Sequence, residues 1–72
     1  MKIAQLQEFQ DCKVTLRLNN GEVLTGMIMF ADLEYEDITV DIAQTNRPDR
    51  YKGPGNAVYA VKAADIETLE KA

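Results

Sequence analysis

Few residues in this chain are equipped for chemistry. Its 72 residues include no histidine and a single cysteine, Cys12. This removes the Cys–His and Ser–His arrangements that activate a nucleophile, and it leaves no conventional ligand set for zinc. No glycine-rich phosphate loop is present either. Asp32, Glu34, Glu36, Asp37 and Asp41 lie close together in sequence. They offer the oxygen ligands that Ca²⁺ or Mg²⁺ takes, but without the fixed spacing of a calcium loop. A chain with these residues is expected to bind rather than to catalyse, with no metal and no cofactor.

What binding would involve follows from the charge. The net charge is −4, which argues against a general nucleic-acid coat with its basic excess. Between Arg17 and Arg47 there are six acids and no base; Arg47, Arg50 and Lys52 then crowd into one short stretch opposed only by Asp49. Tyr51 sits among them, and cations interleaved with an aromatic suit the backbone and bases of a single strand. Tyr35 is a second candidate for stacking, and Lys62 a second isolated cation. A polyanion would have to be met locally, at these residues.

The elements that must position them read as one short helix and five strands. Ile3, Leu6 and Phe9 recur at helical spacing, with Gln5, Gln7, Glu8 and Gln10 on the other side, which predicts an amphipathic helix over residues 2–11. From Lys13 the period becomes two: Val14, Leu16 and Leu18 alternate with polar residues, the pattern of a half-buried strand. Asn19-Asn20-Gly21 signals a hairpin whose central residues take positive φ. The second strand carries Leu24, Ile28 and Phe30 on one face and Val23, Thr25, Met27 and Met29 on the other. Gly26 in its middle predicts a bulge or sharp bend. Asp32 is expected to satisfy backbone N–H groups in the turn that follows. Ile38 to Ile42 forms a third strand, residues 44–56 a loop holding both prolines, Ala57 to Lys62 a fourth strand and Ile66 to Leu69 a fifth. Closely spaced short strands predict a mainly β fold, a small barrel of SH3-like or OB type. The early helix favours the SH3-like form.

Size bears on assembly. A domain this short buries only roughly 60% of its unfolded surface, so it gains from disulfides, a metal or self-association. One cysteine excludes an internal disulfide, which leaves oligomerisation as the favoured supplement. A lone thiol fits a reducing compartment. Met1-Lys2-Ile3 leads into a Gln-rich segment with no apolar leader, and no apolar run approaches the ~18 residues that cross a bilayer. The expectation is one cytoplasmic domain spanning residues 1–72, with no membrane partner.

The segment VTLRLNNGEVLTGMIMFAD, Val14 to Asp32, places Gly21, Gly26 and Asp32 at the spacing of the first Sm motif: a turn glycine, a second glycine five positions on, an aspartate six beyond. Val61-Lys62-Ala63-Ala64-Asp65-Ile66-Glu67-Thr68-Leu69 resembles the second, with Lys62 for its arginine and Ala63 for its glycine. The chain thus resembles the Sm/LSm family over nearly its whole length apart from the loop at 44–56. The resemblance implies a strongly bent five-stranded Sm-fold barrel with a leading helix. It also implies a homo-oligomeric ring in which the fourth strand of one subunit pairs with the fifth of the next, and binding of single-stranded RNA, or DNA, in processing or regulation. In that family an aromatic or histidine and an asparagine after the aspartate read a base, together with the arginine of the second motif. Tyr35 stands for the aromatic, Glu36 or Asp37 for the asparagine, and Lys62 for the arginine. A carboxylate accepts hydrogen bonds without donating them, and a lysine lacks the planar arginine fork, so the implied uridine pocket is altered in kind. The alternative expectation is an SH3-like protein-interaction module whose acidic surface meets a basic partner.

Overall fold

The computed structural model describes residues 1–51 and 58–72. Element order is helix α1 (Ile3–Gln7), then strands β1 (Lys13–Leu18), β2 (Val23–Asp32), β3 (Asp37–Thr45) and β4 (Val58–Lys62), a 3₁₀ turn (Ala63–Asp65), and β5 (Ile66–Lys71). The strands form one antiparallel sheet in the order β4-β3-β2-β1-β5. The fold is mainly β, and the sheet is curved around a core but not closed, since β4 and β5 stand at its two edges.

Alternation builds the core as the period predicts. Val14, Leu16 and Leu18 of β1, Leu24 and Ile28 of β2, and Ile38, Val40 and Ile42 of β3 are all buried. Val61, Ala63 and Ile66 complete the wall, and Ile3 and Leu6 of α1 cover it from one side. The helix is shorter than the spacing over residues 2–11 suggests. After Gln7 the chain turns, and Asp11 takes a left-handed conformation (φ 66°) that lets its N–H donate to the Ile28 carbonyl at 2.7 Å. Ile28 in turn donates to the Cys12 carbonyl at 3.1 Å, so the end of the helical segment is tied into the sheet.

Two bulges bend β2 and β3. Thr25 faces Gln44 whereas Gly26 faces Ile42, leaving Ala43 as an extra residue on β3. Gly26 lies where this bend presses the strands together: a Cβ there would land on the carbonyl oxygen of Asp41. The second bulge inserts Met29 between the Ile28–Val40 and Phe30–Thr39 pairs. That extra residue reverses the facing of everything after it, because side chains alternate with a period of two. Phe30, expected on the same face as Leu24 and Ile28, is therefore 53% exposed, and Ala31 points into the core instead.

The β1–β2 hairpin also differs from the expected turn. Among the three turn residues only Gly21 has positive φ (91°). Gly21 N–H donates to the Leu18 carbonyl at 3.1 Å, and Leu18 N–H to the Glu22 carbonyl at 2.8 Å. This is a type I turn followed by a glycine bulge. β3 and β5 run further than predicted, to Thr45 and Lys71, because pairing with β2 and β1 continues that far. The 44–56 loop accordingly starts later, and its residues 52–57, with Lys52 and Ala57, lie outside the described residues. No helix among the described residues is long and apolar enough to cross a membrane.

Candidate nucleic-acid interface

Two structural groups hold the candidate residues. The first is the β2–β3 turn. Asp32 Oδ1 accepts hydrogen bonds from Glu34 N–H at 2.9 Å and Tyr35 N–H at 3.1 Å, the turn-forming role its position predicts. Glu36 then adopts φ 53°, a conformation in which asparagine and aspartate are enriched among non-glycine residues. Tyr35 is 66% exposed and projects from this turn. Asp37 opens β3 directly opposite Lys62, the last residue of β4. Ala63 N–H donates to the Glu36 carbonyl at 2.9 Å, tying the 3₁₀ turn to the β2–β3 turn. Residues 35–37 and Lys62, 25 positions apart or more in sequence, thus form one locality. Lys62 is exposed and takes part in no ion pair among the described residues.

The second group is the loop after β3, and its centre is a residue that sequence reasoning passed over. Glu22 is 2% exposed. Its Oε2 receives Arg50 Nη1 at 2.6 Å, and its Oε1 receives the Tyr51 hydroxyl at 2.7 Å. Arg47 Nη1 stands 3.9 Å from the same carboxylate, while Arg47 binds Asp49 through Nε–Oδ1 at 3.0 Å and Nη2–Oδ2 at 2.9 Å. The Tyr51 hydroxyl is the largest influence holding the Glu22 carboxyl below its ordinary value; burial opposes it, and Asn20, Arg50 and Arg47 add to the lowering. Burial, then the bond to Glu22, pushes the Tyr51 phenol up. Asp49 is lowered and Arg47 raised by their mutual hydrogen bonds.

Tyr51 is also enclosed by its neighbours. Its ring meets Tyr59 edge-on with centroids 5.1 Å apart, and the Arg50 guanidinium lies 5.8 Å over its face. Instead of standing free beside a strand, Arg47, Arg50 and Tyr51 are engaged with Glu22, with Asp49 and with one another. A signal for Glu22 exists in the sequence: it shares the parity of Leu24, Gly26 and Ile28, the inward face of β2. Its turn-adjacent position and its charge obscured that parity.

The two groups meet at a cavity of about 200 Å³ bounded by Asn20, Glu22, Arg50, Tyr51, Lys62 and Asp65. A larger groove of about 630 Å³ runs between β2, β3 and the loop, past Val23, Thr25, Gln44, Asn46, Pro48 and Tyr51, with no charged side chain among the described residues of its walls. No group of carboxylates among the described residues is arranged to hold a metal ion. No protein-family model matches the chain, and no curated protein matches it.

Proposed function

We propose that the chain is a non-catalytic, Sm-like subunit that assembles into a ring and binds single-stranded nucleic acid, RNA before DNA, in processing or regulation. The observation that carries this reading is the convergence of residues 35–37 with Lys62. The resemblance assigns base contact to those two segments, and Asp37 and Lys62 are paired across neighbouring strands. An exposed tyrosine offers a stacking face of the sequence-tolerant kind, and an exposed lysine without an ion pair offers a point charge to phosphate. Support for the ring comes from strand order. Among the described residues β4 pairs only with β3, and β5 only with β1, so each subunit has two strand edges on which a copy can pair. A β4-to-β5 contact is heterologous, and repetition around a closed rotation gives a cyclic oligomer without open edges.

The test is a polarisation titration of short labelled RNA and DNA strands, with native mass spectrometry of the same samples. The expected result is one closed oligomer that takes up a strand. Tyr35→Ala should cost about 1–3 kcal/mol of binding, the range for a lost base stack. Unchanged binding in both Tyr35→Ala and Lys62→Ala would remove this interface.

One observation favours a second reading, a protein-interaction module. Met29, Phe30 and Leu33 are exposed beside the acids Glu34 and Glu36, an apolar and acidic surface suited to a basic amphipathic partner. A monomer that ignores both strand pools yet binds a basic amphipathic peptide would select it.

A further inference from the structure

Glu22 is a carboxylate taken out of water and held by Arg50 and Tyr51, with Arg47 3.9 Å away. We propose that it is a specificity-determining residue: an internal counter-anion that withholds Arg47 and Arg50 from polyanions in general, so that phosphate is met at Lys62 instead. The inference rests on the strand-binding reading above and adds a means of regulating it.

The charges in the loop's described part, residues 46–51, cancel. Arg47 and Arg50 are its cations; Asp49 takes two bonds from Arg47, and Glu22 takes the shortest ion-pair contact from Arg50, 2.6 Å. The pairs differ in how easily a ligand could open them. Asp49 is 64% exposed and water can replace Arg47 there, whereas the Glu22 side chain is 3% exposed. Drawing Arg50 away would leave a buried carboxylate with the Tyr51 hydroxyl and only the more distant Arg47, 3.9 Å off and already bound to Asp49, and removing one partner of a buried ion pair is strongly destabilising. Arg50 therefore stays on Glu22 although its own side chain is 53% exposed. Phosphate binding gains from release of condensed counterions, and the salt dependence counts only cations that neutralise phosphate. A guanidinium already neutralised from within adds little to that count. Lys62, without an ion pair, adds in full. The Tyr51 ring carries Arg50 over one face and packs at right angles to Tyr59, which hinders base stacking.

The experiment compares wild type, Glu22→Gln and Arg50→Gln in titrations of a short mixed-sequence RNA from low to moderate salt, with circular dichroism to verify folding. Glu22→Gln should bind several-fold more tightly at low salt, and its log K against log salt should steepen by about 0.7, the increment for one added phosphate contact on a single strand. Arg50→Gln should leave both affinity and slope near wild type. A slope that flattens by about 0.7 in Arg50→Gln would overturn the proposal, because Arg50 would then be gripping phosphate in the native protein. If either single variant does not fold, the Glu22→Gln/Arg50→Gln double variant, which removes both members of the buried pair, decides: its slope should match wild type, and a slope flatter by about 0.7 would overturn the proposal. Binding by Glu22→Gln but not by wild type would support the masking while removing the strand-binding reading. Binding by neither would overturn both.

Discussion

Glu22 shows how much one side chain can organise. Its carboxyl titrates below the ordinary 4.5 in the folded chain, first through the Tyr51 hydroxyl and also through Asn20 and the two arginines. A carboxyl lowered on folding stabilises fully above its unfolded pKa, and that contribution is lost as pH falls through the lower folded value. Urea midpoints should therefore hold from neutrality down to about pH 4.5 and fall below it. Glu22→Gln should show a shallower acid limb. Tyr51→Phe removes a hydrogen bond to a buried charge, expected to cost about 1.5–3 kcal/mol near neutral pH. It should also make the acid limb shallower, since without the main lowering influence the folded pKa lies nearer the unfolded one and less stability is lost between them. Equal acid limbs in wild type and Glu22→Gln would show that other carboxylates govern acid stability.

At the scale of elements, glycines do two separate jobs. Gly21 supplies a positive φ at a position with open space around it; Gly26 supplies absence of a side chain where β2 and β3 press together at a bulge. Gly21→Ala should cost about 1–2 kcal/mol, the penalty for a left-handed L-residue. Gly26→Ala forces a methyl group onto the backbone of Asp41, and the bend must open to admit it. We expect a loss of about 3 kcal/mol or more, beyond the usual range for overpacking because the obstacle is backbone. Denaturant titration of the two variants should rank them in that order. A milder Gly26→Ala would mean that the bend adjusts easily. The second bulge, at Met29, has a different consequence: it moves Phe30 to the surface and Ala31 to the core, and so creates the exposed apolar group beside the acidic turn.

For the whole molecule, the deciding feature is an antiparallel sheet whose edges are the fourth and fifth strands. Exposed edges invite pairing, and a lysine on an edge strand discourages it. Val58 opens β4 and is 57% exposed. In the proposed ring, Val58→Lys should shift the oligomer toward protomers in light scattering while circular dichroism stays unchanged. An unaltered mass would place the contact elsewhere. Strand binding should weaken with the ring, because assembly repeats the Tyr35–Lys62 locality around one face and raises its effective concentration.

The sequence alone determined the elements that obey a period. Val14, Leu16 and Leu18 announce a half-buried strand, Gly26 announces a bend, and Asp32 announces a capped turn, because local sterics and alternation act within a few residues. It also marked Tyr35 and Lys62 as residues with chemistry to offer. Their proximity was decided by the β3–β4 register, which no local signal contains. The bulge at Met29 was the other gap: that one extra residue reversed the facing of Phe30, and no glycine marks it, because it is set by how two strands bend against each other. Glu22 shows the remaining limit. Its inward parity was legible, but a buried carboxylate is tolerated only with partners. Those partners, Arg50 and Tyr51, come from a loop 28 and 29 residues away that only the tertiary fold brings over it.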